Sequence, residues 1–338
     1  MVMPTSDVFL KITKSAVLLV AGVVTAGFAG GAVWLWLSTP RASSGGKEMS
    51  FPVQPADRPV RLLALGDTGT GDEWQMRVAA AMESWCSRTN KSPIDGILLL
   101  GDNFYSSGVD SVHDQQWQTK FEKPYGSPCL SRIPVYPVLG NHDYRLSPQA
   151  QIDYSVMQPR WRMPARFYSA DFGPVARLVA IDTNRLDWCG FPQHCVVDFM
   201  NSRLRTGDSP GHTTGNFKGW RVVTGHHPMG SSSTHGRSYD GTFFAHTLRP
   251  QLCKRADLYL SGHAHQMEHL RFASCDTDFI VAGSGGADLG GVKEGNSDSQ
   301  FLKRERGFVV LELSASHMSV AFVDINLNEI YRLERSRI

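Results

Sequence analysis

Residues 97–105 read ILLLGDNFY: an aliphatic run, a glycine, then Asp102, Asn103, Phe104 and Tyr105. A short continuous apolar run closed by glycine predicts a strand buried on both faces. Glycine lets the chain turn sharply at the strand's carboxyl end, where a backbone can approach an ion closely. The same grammar recurs on both sides. Residues 60–65 run into Gly66-Asp67, residues 133–139 into Gly140-Asn141-His142-Asp143, and residues 222–223 lead to Gly225-His226. Residues 258–260 lead into Ser261-Gly262-His263-Ala264-His265. Strand carboxyl ends are where α/β sheets gather their active sites. Between the runs, residues 73–85 place Met76, Ala79, Ala80 and Met82 at helical spacing. Runs at 308–313 and 318–323 predict a hairpin that extends a second sheet.

Composition narrows the function classes. The chain has 338 residues, which suits two domains or one large double-sheet domain. Hydrophobic residues make up 41% and charged residues 20%, so a large core is available and general disorder is excluded. Lys and Arg total 34 against 32 Asp and Glu, a formal charge of +2. That balance excludes a general nucleic-acid binder, which needs a net basic surface. Six cysteines are too sparse for a disulfide-built miniprotein.

The N-terminus stands apart. Residues 1–14 form a short tail, and residues 15–37 carry no charge. At about 1.5 Å per helical residue that run spans about 34 Å, enough to cross a hydrocarbon core of about 30 Å. Trp34 and Trp36 sit near its end, where interfacial aromatics belong. The run is longer than a signal-peptide core and lacks a small-residue cleavage site, so an uncleaved transmembrane signal-anchor is expected. Lys11 and Lys14 before it are matched by Arg41 and Lys47 after it, so the charge rule does not choose an orientation. Residues 38–56 read as a stalk, and residues 57–338 as the catalytic domain.

Seven of the residues at the run ends are metal-loving: Asp67, Asp102, Tyr105, Asn141, His226, His263 and His265. Carboxylate, amide, phenol and imidazole without thiolate argue against zinc-finger or iron–sulfur sites. The set is too large for one cation and suits two, with Asp102 able to bridge through both oxygens. A lone Gly-Asp after a strand is usually a turn. Five such blocks in this order are not explained that way.

The blocks GDTG, GDNFYSSG, GNHD, VVTGHHP and SGHAH resemble, in order, the five motif blocks of the purple acid phosphatases. That group lies within the calcineurin-like metallophosphoesterase superfamily, and the small tartrate-resistant branch is the nearest in pattern. The resemblance spans about residues 60–338 and includes Arg166-Phe167-Tyr168-Ser169, Ile181-Asp182-Thr183 and residues 282–286. Most of the superfamily reads Asp-x-His in the first block. Here Asp67-Thr68-Gly69 has no histidine, and Tyr105 takes its place as in the purple group.

The resemblance implies an α/β (α+β) fold, a four-layer αββα sandwich of two mixed β-sheets flanked by helices. It implies Fe(III) at Asp67, Asp102, Tyr105 and His265, since hard phenolate and carboxylate favour that ion. It implies a second divalent ion, Fe(II), Zn(II) or Mn(II), at Asp102, Asn141, His226 and His263. The expected activity is an acid phosphatase that hydrolyses phosphate monoesters with a metal-bound hydroxide and no phosphoenzyme. His142 and His235 are the expected substrate-facing histidines, with Asp143 orienting His142. The substrates would be small phosphate monoesters or phosphoproteins. A phosphodiesterase, a phosphoprotein phosphatase, and a membrane-anchored recognition protein that keeps its metals without turnover are the competing readings.

His227 reads as a packing or rim residue. Cys189 and Cys195 are near enough in sequence to close a small disulfide, and Cys86, Cys129, Cys253 and Cys275 allow further pairs without a preferred connectivity. Residues 196–204 give at most a short helix within the long loop 185–218. Cysteine usage, the Asn90-Lys91-Ser92 sequon (weakened by Pro93 after it) and the family's usual location favour a lumenal or extracellular catalytic domain.

Overall fold

The computed structural model describes residues 47–50, 58–88, 93–184, 195–204, 217–234 and 246–337. All belong to one compact unit, Gly45–Ile338. The expected anchor at 15–37 lies outside the described residues. Among the described residues, no helix is long and apolar enough to cross a membrane.

The five apolar runs are strands, named here β2 (Val60–Leu65), β3 (Gly96–Leu100), β4 (Val135–Val138), β7 (Trp220–Thr224) and β8 (Leu258–Ser261). Preceding and separating them are β1 (Lys47–Ser50), β5 (Tyr168–Phe172) and β6 (Ala176–Ala180). After them come β9 (Met267–Leu270), β10 (Asp278–Ala282), β11 (Ser299–Lys303), β12 (Gly307–Leu313), β13 (His317–Asp324) and β14 (Glu329–Ser336). They form an eight-stranded sheet in the order β1-β5-β6-β7-β8-β10-β9-β11 and a six-stranded sheet in the order β14-β13-β12-β2-β3-β4. Both are mixed: β2, β3 and β4 run parallel, as do β6, β7, β8 and β10; β5, β9, β11, β12, β13 and β14 add antiparallel, and β1 joins β5 in parallel.

Alternation sorts the side chains into layers. On β6, β7, β8 and β10, the residues Leu178, Val222, Leu260 and Ile280 join the core shared with β2, β3 and β12. Their neighbours Val179, Val223, Tyr259 and Phe279 face the opposite side. There they meet α3 (Cys195–Leu204) and α4 (Arg249–Arg255) through Val197, Met200 and Leu252. Helix α1 (Glu73–Arg88) packs against the six-stranded sheet, with Trp85 edge-on to Phe308. It starts where Asp72 Oδ1 accepts the Gln75 N–H at 3.0 Å, a cap that satisfies an otherwise unbonded first-turn donor. A further helix, α2 (Pro148–Met157), is capped by Ser147. Two mixed sheets flanked by helices is the architecture expected from the motifs.

Two boundaries differ from the sequence reading. Lys47–Ser50, inside the expected stalk, is an edge strand that pairs in parallel with β5, Lys47 opposite Tyr168. Its sequence, KEMS, has no apolar periodicity because an edge strand is held by backbone bonds on one side only. The C-terminal hairpin does not build a separate sheet: β12 pairs with β2, so it completes the sheet that carries the first three motifs. It also gains a third strand, β14, whose charged residues hid it from a hydrophobic reading.

Candidate metal centre

The carboxyl ends of β2, β3 and β4 meet those of β7 and β8 across the two sheets. Gly66 N donates to Ala282 O at 2.7 Å, and His263 N donates to Asp67 Oδ2 at the same distance. These contacts join residues 216 and 196 positions apart. The approach is close enough to require glycine. A Cβ on Gly140 would lie 2.1 Å from Asp102 N and Oδ1, and one on Gly262 would lie 2.5 Å from Asp67 Oδ2. Asp67, Asp102 and His263 themselves adopt φ values of 58°, 50° and 64°, left-handed backbone that non-glycine residues rarely hold. Such strain persists where the surrounding structure over-determines it, commonly at functional sites.

Around this junction the seven predicted side chains converge as two groups. In one, Tyr105 Oη donates to Asp67 Oδ1 at 2.8 Å, and His265 Nε2 lies 3.1 Å from Tyr105 Oη and 3.3 Å from Asp67 Oδ1. In the other, Asn141 Oδ1 lies 3.1 Å from His226 Nε2 and 3.0 Å from His263 Nδ1, which are 3.2 Å from each other. Asp102 stands between, with Oδ2 3.5 Å from His226 Nε2. Asp67, Asp102 and His226 present ligand atoms within 4.8 Å of one another.

The tautomers suit a cation site. His226 Nδ1 donates to Leu100 O at 2.8 Å, and His265 Nδ1 donates to Asp288 O at 2.7 Å, because a carbonyl only accepts. In its neutral form each ring therefore turns a lone pair at Nε2 toward the cluster. The His226 lone pair faces Asn141 Oδ1, and the His265 lone pair faces the Asp67 carboxylate. Facing lone pairs at hydrogen-bond distance need a proton or a metal between them. Fixing the far ring nitrogen on a carbonyl is also how metal-binding histidines are oriented.

The titration tendencies show how strongly the carboxylates draw positive charge, a proton or a metal, to this point. Burial lowers His226, but the Asp102 and Asp67 charges prevail and hold it above its ordinary value. Burial likewise lowers His265, yet its hydrogen bond and charge contact with Asp67 carry it up to about 9. Burial raises Asp67, and the His265 hydrogen bond and charge outweigh it, so its pKa falls below the usual carboxylate range. Burial and the Asp67 and Asp102 charges push the Tyr105 phenol far up. Only a strong Lewis acid would remove that proton, which is the condition for tyrosinate ligation.

His142 sits at the mouth of the cluster. Its N–H donates to Asp102 Oδ1 at 2.8 Å, its ring lies 4.5 Å from that of Tyr105, and its Nε2 is 3.9 Å from Asp102 Oδ2. Its orientation does not come from Asp143. His142 Nδ1 donates instead to Ser106 O at 2.8 Å. Asp143 points inward and accepts Gly140 N, Asn103 N, Phe104 N and Gln151 Nε2, between 2.8 and 3.2 Å. It ties the second motif loop to the third, and burial with the Asp102 charge pushes its pKa up to about 7. His235 lies outside the described residues.

Other residues were not predicted. Thr183 Oγ1 accepts both His226 N and His227 N at 3.1 Å. His227, read as packing, is buried with its ring 4.7 Å from His263 and 4.9 Å from His226, and its Nδ1 is 2.9 Å from Thr183 Oγ1. It joins His226 and His263 in a second group of converging ligand atoms. The buried carboxylate of Glu268 gathers Ser231, Ser232 and Gln266 beside the site. Its only sequence signal was a charge inside a strand reading MEHL. Cys86–Cys129 and Cys253–Cys275 are disulfides; Cys195 is also disulfide-bonded, and Cys189 lies outside the described residues.

Comparison with known proteins matches residues 60–267 to the family model described as calcineurin-like phosphoesterase. Purple acid phosphatase 4 of Arabidopsis thaliana is 28% identical over 309 residues, covering 85% of this chain and 87% of the relative. Tartrate-resistant acid phosphatase type 5 of Homo sapiens is 25% identical over 300 residues, covering 82% and 91%. Among solved structures, GAP50, the anchor in the inner membrane complex of Plasmodium, superposes with a TM-score of 0.69 at 24% identity. That match covers 83% of this chain and 90% of the Plasmodium chain, and speaks for the fold alone.

Proposed function

Since the chain belongs to the calcineurin-like phosphoesterase family, we propose that it is an acid phosphatase acting on phosphate monoesters at a pair of cations. The observation that carries this is the facing of lone pairs and carboxylates at one point between the sheets. Asp67, Asp102, Tyr105 and His265 would hold Fe(III). Asp102, Asn141, His226 and His263 would hold Fe(II), Zn(II) or Mn(II). Such a pair supplies positive charge for the phosphate and a water acidic enough to attack phosphorus below neutral pH.

The chain's own groups do the rest. His142 Nδ1 is committed to Ser106 O, so Nε2 is the atom offered to a phosphate oxygen or to the leaving group. His235 is proposed as its counterpart. Asp143 fixes the spacing of Asp102 and Asn141 by binding both of their loops. No side chain need be phosphorylated.

In the full chain, residues 15–37 would anchor this unit to a membrane, with residues 1–14 as a tail. The disulfides support a lumenal or extracellular catalytic domain. Phosphoprotein and small-molecule monoesters are both within its proposed range.

The test is phosphate release from an aryl monoester between pH 4 and 8, with metals counted in the same sample. Two cations per chain with an acid optimum are expected. Two cations without turnover would replace this reading with a recognition protein that keeps its metals. No bound metal in a folded protein would overturn the ligand assignment.

A further inference from the structure

Arg145 ends the short 3-10 turn Asp143–Arg145 that follows the third motif. Its Nη2 lies 3.4 Å from His142 Nε2, the atom that itself stands 3.9 Å from Asp102 Oδ2. Its Nη1 donates to Ser106 O at 3.0 Å, the carbonyl that also receives His142 Nδ1. One carbonyl thus pins an imidazole and a guanidinium side by side, both aimed at the mouth of the cluster.

Several arginines elsewhere in the fold are held by carboxylates. Arg58 pairs with Asp95, Arg177 with Asp171, Arg221 with Asp257 and Arg335 with Asp278. Arg145 is exposed, and its hydrogen bonds go to Ser106 O and His142 Nε2. No carboxylate among the described residues pairs with it. A fixed positive charge is therefore left facing the place where a phosphate would lie.

We infer that Arg145 is a specificity-determining residue that favours dianionic phosphate monoesters over monoanionic diesters. The inference rests on the phosphatase reading above. A diester offers two unsubstituted oxygens and one charge; a monoester dianion offers three oxygens and two charges. A guanidinium fork beside the site gains more from the second, both in charge and in the additional oxygen it can bind. Lysine would keep the charge without the planar fork. Its exposure limits the effect to the scale of one screened charge-assisted hydrogen bond, about tenfold.

The experiment compares p-nitrophenyl phosphate with bis(p-nitrophenyl) phosphate in the wild type, Arg145→Leu and Arg145→Lys, at pH 7, where a monoester is largely dianionic. Metal content is measured in each. Arg145→Leu is expected to lower kcat/KM for the monoester about tenfold, mainly through KM, and for the diester about twofold or less. Arg145→Lys should recover part of the loss. Equal losses for both esters, carried in kcat, would mean that Arg145 acts only through His142 and would overturn the inference. An unchanged monoester-to-diester ratio would overturn it as well. If the wild type turns over neither ester, the phosphatase reading fails on its own. Calorimetric binding of orthophosphate and dimethyl phosphate to the metal-loaded protein then decides. Loss of affinity for orthophosphate alone in Arg145→Leu supports the inference, and equal or no loss rejects it.

Discussion

Glu268→Ala should destabilise the protein far more than Glu268→Gln. Glu268 lies on β9 and is fully buried. Its carboxylate accepts Ser232 N at 2.9 Å, Ser232 Oγ at 2.5 Å, Ser231 Oγ at 3.2 Å and Gln266 Nε2 at 2.6 Å. Truncation to alanine leaves the Ser232 N–H with no acceptor. The Gln266 amide keeps Ser231 Oγ at 3.1 Å, and Ser232 Oγ keeps Asn296 Nδ2 at 3.2 Å, so those groups lose only part of their bonding. Two buried donors' worth of unmade bonds at about 1–3 kcal/mol each gives about 2–6 kcal/mol. Relief from burying a carboxylate that has no cationic partner among the described residues offsets some of this, leaving about 2–4 kcal/mol. Glutamine keeps an acceptor for Ser232 N–H and offers a donor that the serine hydroxyls can accept, so its cost should stay under about 1 kcal/mol. Urea unfolding with an unchanged m-value measures both. Equal costs for the two variants, or an alanine variant within about 0.5 kcal/mol of the wild type, would refute the reasoning. Because Ser231 and Ser232 lead on to His235, the proposed substrate-facing histidine, the alanine variant should lose turnover along with stability.

Four further outcomes are expected. Asp102→Ala should remove both cations of the proposed pair in metal analysis while leaving the far-UV spectrum unchanged, since that proposal gives both of them its carboxylate. Tyr105→Phe should abolish any visible tyrosinate band yet keep at least one cation at the Asn141, His226 and His263 group. Asp257 tests pH dependence: burial raises it, but the Arg221 hydrogen bond and charge, helped by Arg337, hold its pKa below the usual carboxylate value. A depressed folded pKa stabilises above the unfolded value of about 4 and loses that contribution as pH falls through the folded value. The stability gap between wild type and Asp257→Asn should be about 1–2 kcal/mol, flat from pH 8 to 5, and should close below about pH 4. Replacing both Cys86 and Cys129 by alanine opens a loop of 43 residues and should cost about 4 kcal/mol in denaturant unfolding.

The parts of the site legible in the sequence were those written locally. Each of Asp67, Asp102, Asn141, His226 and His263 follows a buried strand through a glycine or directly beyond one, so run, turn and ligand fall in a single window. The helix read at 73–85 extends to Arg88: buried Cys86, disulfide-bonded to Cys129, holds the last turn, and Ser87 and Arg88 face outward without an apolar signal. What the sequence hid was set by partners far along the chain. The Leu100 and Asp288 carbonyls fix two imidazoles, Ser106 O fixes a third, and none of these carbonyls has a side-chain signature. Asp143 sits beside His142 in sequence yet turns to Asn103 and Gln151, since three backbone donors converge on the buried side of that turn. β14 alternates charge where a hydrophobic reading seeks apolar residues, as a solvent-facing edge does.

The contact between His263 N and Asp67 Oδ2 spans 196 positions. Contacts of that range close late, because the chain between them must be ordered before the bond repays it. During synthesis, Asp67, Asp102 and Asn141 emerge long before their histidine partners. No nascent chain shorter than about 265 residues carries both groups, so cation uptake at the proposed pair would report that strands of the two sheets have come together.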